Sequence, residues 1–405
     1  MIYRNYQVVA DVSDPIRKFA EHARDISLNW FDSKRITPLQ RMAAYYEQVA
    51  LLGFTHTRPS FNIASVMSVQ GKRVPVVETT SFRTPFCDLV RFCRDDSKDL
   101  PKLLLVAPMS GHFATLLRGT VQTLVQDHEV YVTDWRNIRD IPMSEGQFGL
   151  DEYIEHIIWF LQHLGPNAHL MGVCQPTVAC LAATAVLAED RSDCQPASLT
   201  LMAGPIDTRV NPTAVNELAM SKPIEWFEAN LIGMVPLHFK GVGRRVYPGF
   251  MQLMAFLNMN IERHQQSFKN LYEHRVNGED EKADVIRDFY KEYFAIMDLS
   301  GSFYLETVKH VFQDHALPTG KMTYRGRPLN LQAIRKTFVL TVEGERDDIC
   351  GMGQTLAAQD LCSMLPAYRK THHLQSGVGH YGVFNGKRWE SQIYPVVRNL
   401  IRSAH

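Results

Sequence analysis

The sequence predicts an α/β fold: a mostly parallel sheet flanked by helices, with a helical cap inserted before the last two strands. Three observations carry this expectation. From residue 77 onward, short apolar runs each close in a turn and are followed by a helical pattern, as in parallel strands buried on both faces and joined by crossover helices. A stretch of more than a hundred residues, 209–332, separates two of these runs and is far longer than an ordinary crossover. The chain of 405 residues is 45% hydrophobic and 21% charged with no low-complexity tract, so all of it can bury a core, and one elaborated domain accommodates it.

The first ~100 residues read as helical and peripheral. In "SDPIRKFAEHARDISLNW", Asp14 is placed to cap, Pro15 suits a first helical position, and Ile16, Phe19, Ala23, Ile26 and Trp30 form one stripe. In "TPLQRMAAYYEQVALLGF", Thr37 and Gln40 have capping-box spacing, and Leu39, Met42, Tyr46 and Val49 share a face. This segment, 1–76, is expected to pack on the core or to touch a hydrophobic partner. The core then comprises 77–208 and 333–405. Its candidate strands are "KLLLVAP" (102–108), "EVYVTDW" (129–135), "AHLMGVC" (168–174), "SLTLMAGP" (198–205), "KTFVLTVEGERDD" (336–348) and "RKTHHLQSGVGH" (369–380). Helices are expected at about 113–125, 150–164, 176–189 and 389–402. The aromatic and Met-rich insertion, 209–332, is expected to roof the carboxyl edge of the sheet, where open α/β sheets bind ligands.

Composition excludes several classes. Lys plus Arg and Asp plus Glu are balanced at 43 each, so no net field attracts nucleic acid or anionic lipid. The first residues carry no basic segment followed by an apolar run, and no stretch has the length of a transmembrane span. A cytoplasmic protein is the expectation. Seven cysteines without paired spacing argue against a disulfide framework and against a zinc site.

One cysteine stands apart. In "AHLMGVCQPTVACLAATAVL" a strand ending at Cys174 meets a helix with almost no loop between them, and Gly172 supplies a small neighbour two residues earlier. This is the pattern of a nucleophile elbow, and a thiol there faces a helix N-terminus that favours thiolate. Pro176 departs from the usual second small residue two positions after the nucleophile, which bears on how closely helix and strand pack. Cys87, Cys93, Cys180, Cys194, Cys350 and Cys362 lack this context and read as structural.

A base and an orienting acid should follow in chain order, acid before histidine. The strand "TFVLTVEGERDDICG" ends in Asp347 and Asp348, of which Asp347 is preferred, and His380 follows the next strand in "SGVGHYGVF". Asp207 is a second-choice acid, while His372 and His373 read as mid-strand and structural. Oxyanion donors, roughly 3 kcal/mol each, are expected from the N–H of Gln175 and from Met109 or Ser110 in the loop "MSGHFAT". His112 in that loop reads as a helix-start histidine. No metal or redox cofactor is called for.

With these residues identified, the sequence resembles intracellular polyhydroxyalkanoate (poly-3-hydroxybutyrate) depolymerases. The matching stretches are "GVCQPTVACLAA", "FYLETVKHVFQDHALPTG" with "YRGRPLNLQAI", "TVEGERDDICGMGQT" and "GVGHYGVFNGKRW". The resemblance implies an α/β-hydrolase fold with cysteine in place of serine, its nucleophile at Cys174, acid at Asp347 and base at His380. It also implies a polyester granule as partner, 3-hydroxy acids as products, and a cytoplasmic location on storage granules. Polyester synthases share the cysteine elbow but carry Gly two residues after it and are longer. Two alternatives follow: acyl transfer, as synthase or by thiolysis to coenzyme A, and a non-catalytic granule-binding protein.

Overall fold

The computed structural model describes residues 2–29, 37–68, 71–96 and 100–404. Among the described residues the centre is a nine-stranded sheet. In chain order its strands are β1 (Ser65–Met67), β2 (Arg73–Arg83), β3 (Cys87–Arg94), β4 (Lys102–Val106), β5 (Glu129–Trp135), β6 (His169–Val173), β7 (Ser198–Met202), β8 (Phe338–Gly344) and β9 (Lys370–Gln375). They lie side by side as β1-β2-β3-β5-β4-β6-β7-β8-β9. Strands β5, β4, β6, β7, β8 and β9 pair in parallel. Strands β1 to β3 form an antiparallel margin that joins β5.

The central strands are apolar on both faces because helices cover both. Leu103, Leu104, Leu105 and Val106 of β4 are buried, as is the whole of β6. Helix Thr177–Glu189 follows β6 and is buried along nearly its entire length. Its Ala-rich sequence lets it lie close to the sheet, so the turn that joins it to β6 stays short. Helices Leu150–Leu164 and Tyr394–Ser403 fall where the periodicity predicts them. The whole is an α/β-hydrolase fold, with the insertion leaving after β7 and returning before β8.

Two expectations for the first hundred residues need correction. Ser65–Met67, Arg73–Arg83 and Cys87–Arg94 are strands, and the boundary drawn at residue 76 falls inside β2. The apolar pattern is silent there because β2 is mostly exposed and is held by backbone pairing to β3, whereas Cys87, Leu89, Val90 and Phe92 of β3 are buried. The first helix starts at Ile2 and runs to Asn29 with Pro15 in its interior, so Asp14 does not begin it. An interior proline costs about 3 kcal/mol. Tertiary anchors on the preceding turns keep them helical: Tyr3 donates to buried Asp298, while Tyr6 stacks on Phe250 at 4.0 Å and bonds His56 at 3.0 Å.

The same anchors turn the helix. The stripe, expected either to pack on the core or to touch a hydrophobic partner, is exposed at Ile16, Phe19 and Ile26 together with Val12, while Tyr3 and Ala20 are buried. Arg17 takes part in the docked face by bonding the Ala50 and Phe54 carbonyls. Trp30 lies outside the described residues, as does the side chain of Thr37.

The second helix, Thr37–Leu51, packs on the insertion. Leu51 joins a cluster with Leu253, Leu271, Ala283, Tyr290, Tyr293, Phe294 and Ile296. Buried Glu47 takes both oxygens to Arg275 at 2.8 Å. The insertion is largely helical, with Gly249–Met259, Ile261–Val276 and Asp280–Tyr293 nearest the site, and it also contains a small antiparallel sheet of Gly233–Met234, Arg245–Tyr247 and Leu299–Ser300. Among the described residues no helix is long and apolar enough to cross a membrane.

Candidate active site

Strand β6 ends at Val173, and the next residue, Cys174, has φ +67°. A left-handed conformation costs a non-glycine residue roughly 1–2 kcal/mol, and such strain collects where a side chain must be aimed. The turn lifts Cys174 out of the strand and leaves it half-buried. Two glycines make the bend possible. A Cβ on Gly172 would lie 2.9 Å from Cys180 Sγ and 3.3 Å from Thr177 Cα, and one on Gly204, just after β7, would lie 1.8 Å from Thr177 Oγ1. The departure at Pro176 is thereby explained. Pro176 sits at φ −66° ahead of the helix, where its missing N–H costs nothing, and the second close approach comes from Gly204 on the neighbouring strand. Sequence reading missed Gly204 because its partner, Thr177, follows the neighbouring strand β6 and is distant in sequence.

His380 lies in the turn after β9, and its Nδ1 is 2.8 Å from Asp347 Oδ2. Both side chains are buried, 5% and 1% exposed. Burial alone would keep the ring neutral. The Asp347 carboxylate and the Cys174 sulfur outweigh it by charge and hydrogen bonding, pushing the imidazole well above the usual histidine range. With Nδ1 committed to Asp347, the second ring nitrogen is left for the sulfur. Asp347 is itself fixed, since its Oδ1 accepts the N–H groups of Ile349 and Cys350 at 2.9 Å each.

The other candidates fall elsewhere. Asp348 accepts a hydrogen bond from Asn260 of the insertion at 2.9 Å. Asp207 is paired with Arg209, at 2.8 and 2.7 Å. His372 bonds Thr341 and His373 bonds Gln375, both along the strands. His112 is buried beside Tyr293, at 5.1 Å between rings, and burial pulls its pKa down to about 4 against a hydrogen bond to the Tyr293 backbone.

Of the expected oxyanion donors, one is already paired. The Met109 N–H is engaged by the side-chain oxygen of its neighbour in space, Gln175 Oε1, at 3.4 Å. The Gln175 N–H has no protein partner among the described residues. Ser110 follows Met109 on the same loop and is half-buried.

A cleft of about 510 Å³ opens beside His380. Phe256, Met259, Phe289 and Tyr293 of the insertion wall it on one side, and Asp348 and Tyr381 on the other. A larger polar hollow of about 980 Å³ lies at the opposite, amino edge of the strands, near Asn167, Phe338 and Arg369. Of these two, only the smaller cleft borders the histidine. Among the described residues no group of three or more His, Cys, Asp or Glu side chains is arranged to hold a metal ion. A thiol, an imidazole and a buried carboxylate in this order suit acyl transfer from a carbonyl compound.

The family model described as PHB de-polymerase C-terminus matches residues 203–405, half of the chain. No curated protein matches. Among solved structures, a thermophilic esterase from Thermogutta terrifontis is 15% identical with a TM-score of 0.43, covering 82% of this chain and 99% of that one. The 2-hydroxy-6-oxo-6-phenylhexa-2,4-dienoate hydrolase from Rhodococcus sp. strain RHA1 is 13% identical with a TM-score of 0.43, covering 81% of this chain and 99% of that one.

Proposed function

Because the chain belongs to the PHB depolymerase family, we propose that it hydrolyses ester bonds of a poly(3-hydroxybutyrate)-type storage polyester through an acyl-enzyme on Cys174. The observation that carries the reading is the strained Cys174 at the elbow beside a histidine whose far nitrogen is bonded to Asp347 at 2.8 Å. The neighbouring charges outweigh burial and raise the ring's affinity for a proton, so it can take the one that Cys174 gives up as its sulfur attacks.

The Cys174 sulfur attacks an ester carbonyl carbon, and the carbonyl oxygen gathers negative charge against the Gln175 N–H. The carbon–oxygen ester bond then breaks as His380 gives its proton to the departing alkoxide, leaving a hydroxyacyl thioester on Cys174. His380, now neutral, takes a proton from water; the hydroxide adds to the thioester, the carbon–sulfur bond breaks, and a 3-hydroxy acid or short oligomer leaves. Asp347 keeps the ring in one tautomer throughout. The apolar wall of Phe256, Met259 and Phe289 suits a polyester chain, which offers methyl groups and carbonyl oxygens but no hydrogen-bond donors along its length. Granule surfaces are the natural substrate form, and the exposed stripe of Val12, Ile16, Phe19 and Ile26 is a surface that could rest on one.

Cys174→Ala tests the reading. It should fold as the wild type does and release no 3-hydroxybutyrate from amorphous polymer, and mass spectrometry of the wild type quenched during turnover should find a hydroxyacyl group on the peptide containing Cys174. Release of product by Cys174→Ala would exclude this mechanism.

A further inference from the structure

We propose that Gln175 closes half of its own oxyanion hole in the free enzyme, and that a polyester chain, unlike a small ester, is able to reopen it at little cost. This inference rests on the reading of Cys174, His380 and Asp347 given above. On that reading the developing oxyanion is received by two N–H groups, those of Gln175 and Met109. The first is free among the described residues, while the second already donates to Gln175 Oε1 at 3.4 Å. A carboxamide oxygen is an sp² carbonyl oxygen, the same kind of acceptor as the ester oxygen that must come to this position. The Gln175 side chain therefore stands where a substrate carbonyl would stand.

The consequence is an exchange. For the ester to use both donors, Gln175 Oε1 must leave the Met109 N–H. The side chain is half-buried and sits in the turn ahead of helix Thr177–Glu189, and the contact, longer than an ordinary N–H···O bond, is weak enough to be displaced. Once displaced, the carboxamide presents an NH2 group beside the bound ester. A polyester repeats its carbonyl at every unit and carries no donor, so the neighbouring unit supplies an acceptor for that group. A small monoester has no neighbouring carbonyl, and nothing offsets the bond given up. Gln175 thus acts as a positioning and selecting group, favouring chains over isolated esters.

The test compares Gln175→Ala and Gln175→Glu with the wild type on p-nitrophenyl butyrate and on a soluble 3-hydroxybutyrate trimer. Loss of a weak hydrogen bond, at the low end of the usual range, corresponds to a factor of about 2. Gln175→Ala should raise kcat/KM on the small ester by about that factor and lower it on the trimer, so the trimer-to-monoester ratio falls. Gln175→Glu should slow both, since a carboxylate holds an N–H more tightly and repels an oxyanion. Equal loss on both substrates in Gln175→Ala would mean that the side chain is a plain oxyanion donor, and no change on either would mean that the contact is incidental; each overturns the proposal. Unchanged melting temperatures show that neither variant acts through folding. Cys174→Ala run beside them separates the two levels. If it keeps turnover, the site reading itself falls, and if it is inactive while the Gln175 ratios stay constant, only the exchange falls.

Discussion

Replacing Asp347 by Asn isolates what the buried carboxylate does. Asn retains an oxygen for the Ile349 and Cys350 N–H groups, each 2.9 Å from Oδ1, so the loop after β8 keeps its shape. What changes is the 2.8 Å contact to His380 Nδ1, where an NH2 group now faces the ring. The ring must then accept at Nδ1 and carry its proton on the nitrogen that faces Cys174, the wrong tautomer for a base. In a Ser-His-Asp triad that error lowers kcat by about 10⁴, or about 5.5 kcal/mol of barrier. The stability cost is smaller, about 1.5–3 kcal/mol for a lost charge-assisted hydrogen bond, because the histidine can give up its charge.

The pH dependence of stability should also reverse. In the wild type the His380 pKa is raised in the folded state, so its contribution is complete below the unfolded value, about 6.5, and is lost as pH rises through the folded value. In Asp347→Asn burial dominates, the ring is neutral when folded, and stability instead falls as pH drops below about 6.5. The assay is product release from amorphous polymer over a range of pH, with urea unfolding at the same values. Asp348→Asn is the control, since Asp348 touches Asn260 and leaves the ring alone. An Asp347→Asn enzyme within tenfold of wild-type kcat, beside an inactive Asp348→Asn, would refute the assignment of the acid.

Two further outcomes follow from the same geometry. Gly204→Ala puts a methyl group 1.8 Å from Thr177 Oγ1, and Thr177 in turn donates to the Cys174 carbonyl at 2.9 Å. Melting should report a loss of about 1–3 kcal/mol, and turnover should fall, both partly restored by adding Thr177→Gly; a wild-type Gly204→Ala would show that the close approach is unnecessary. His112, held near pKa 4 by burial, binds its proton more readily when unfolded, so it should cost the native state about 2 kcal/mol at pH 5 relative to neutral pH. His112→Gln should flatten the fall in urea stability between pH 7.5 and pH 5 by about that amount, and an unchanged slope would assign the acid sensitivity to other groups.

How much of this could be read before folding depends on where each signal resides. Strands β4 to β8 announce themselves because a strand buried on both faces is mostly apolar, as Leu103, Leu104 and Leu105 are in the linear sequence. Strand β2 does not, because an exposed margin held by backbone bonds constrains its side chains little. The stripe of Ile16, Phe19 and Ile26 is a true helical period, yet period says nothing of which face docks. Tyr3 on Asp298 and Arg17 on two carbonyls decided that, and they are polar contacts invisible to a hydrophobic pattern.

The site divides in the same way. Cys174 between an apolar run and a helix, with Gly172 before it and an acid and a histidine after later strands, is a local pattern that the chain order alone carries. Sequence determined the candidate thiol, acids and histidine, and the sharp turn at Cys174. Tertiary structure decided which of Asp347 and Asp348 faces His380, that Gly204 makes room for Thr177, and that the Met109 N–H is already engaged by Gln175. Adjacent carboxylates have the same composition and differ only in direction, and a close approach between neighbouring strands or loops exists only once the sheet has brought distant segments together.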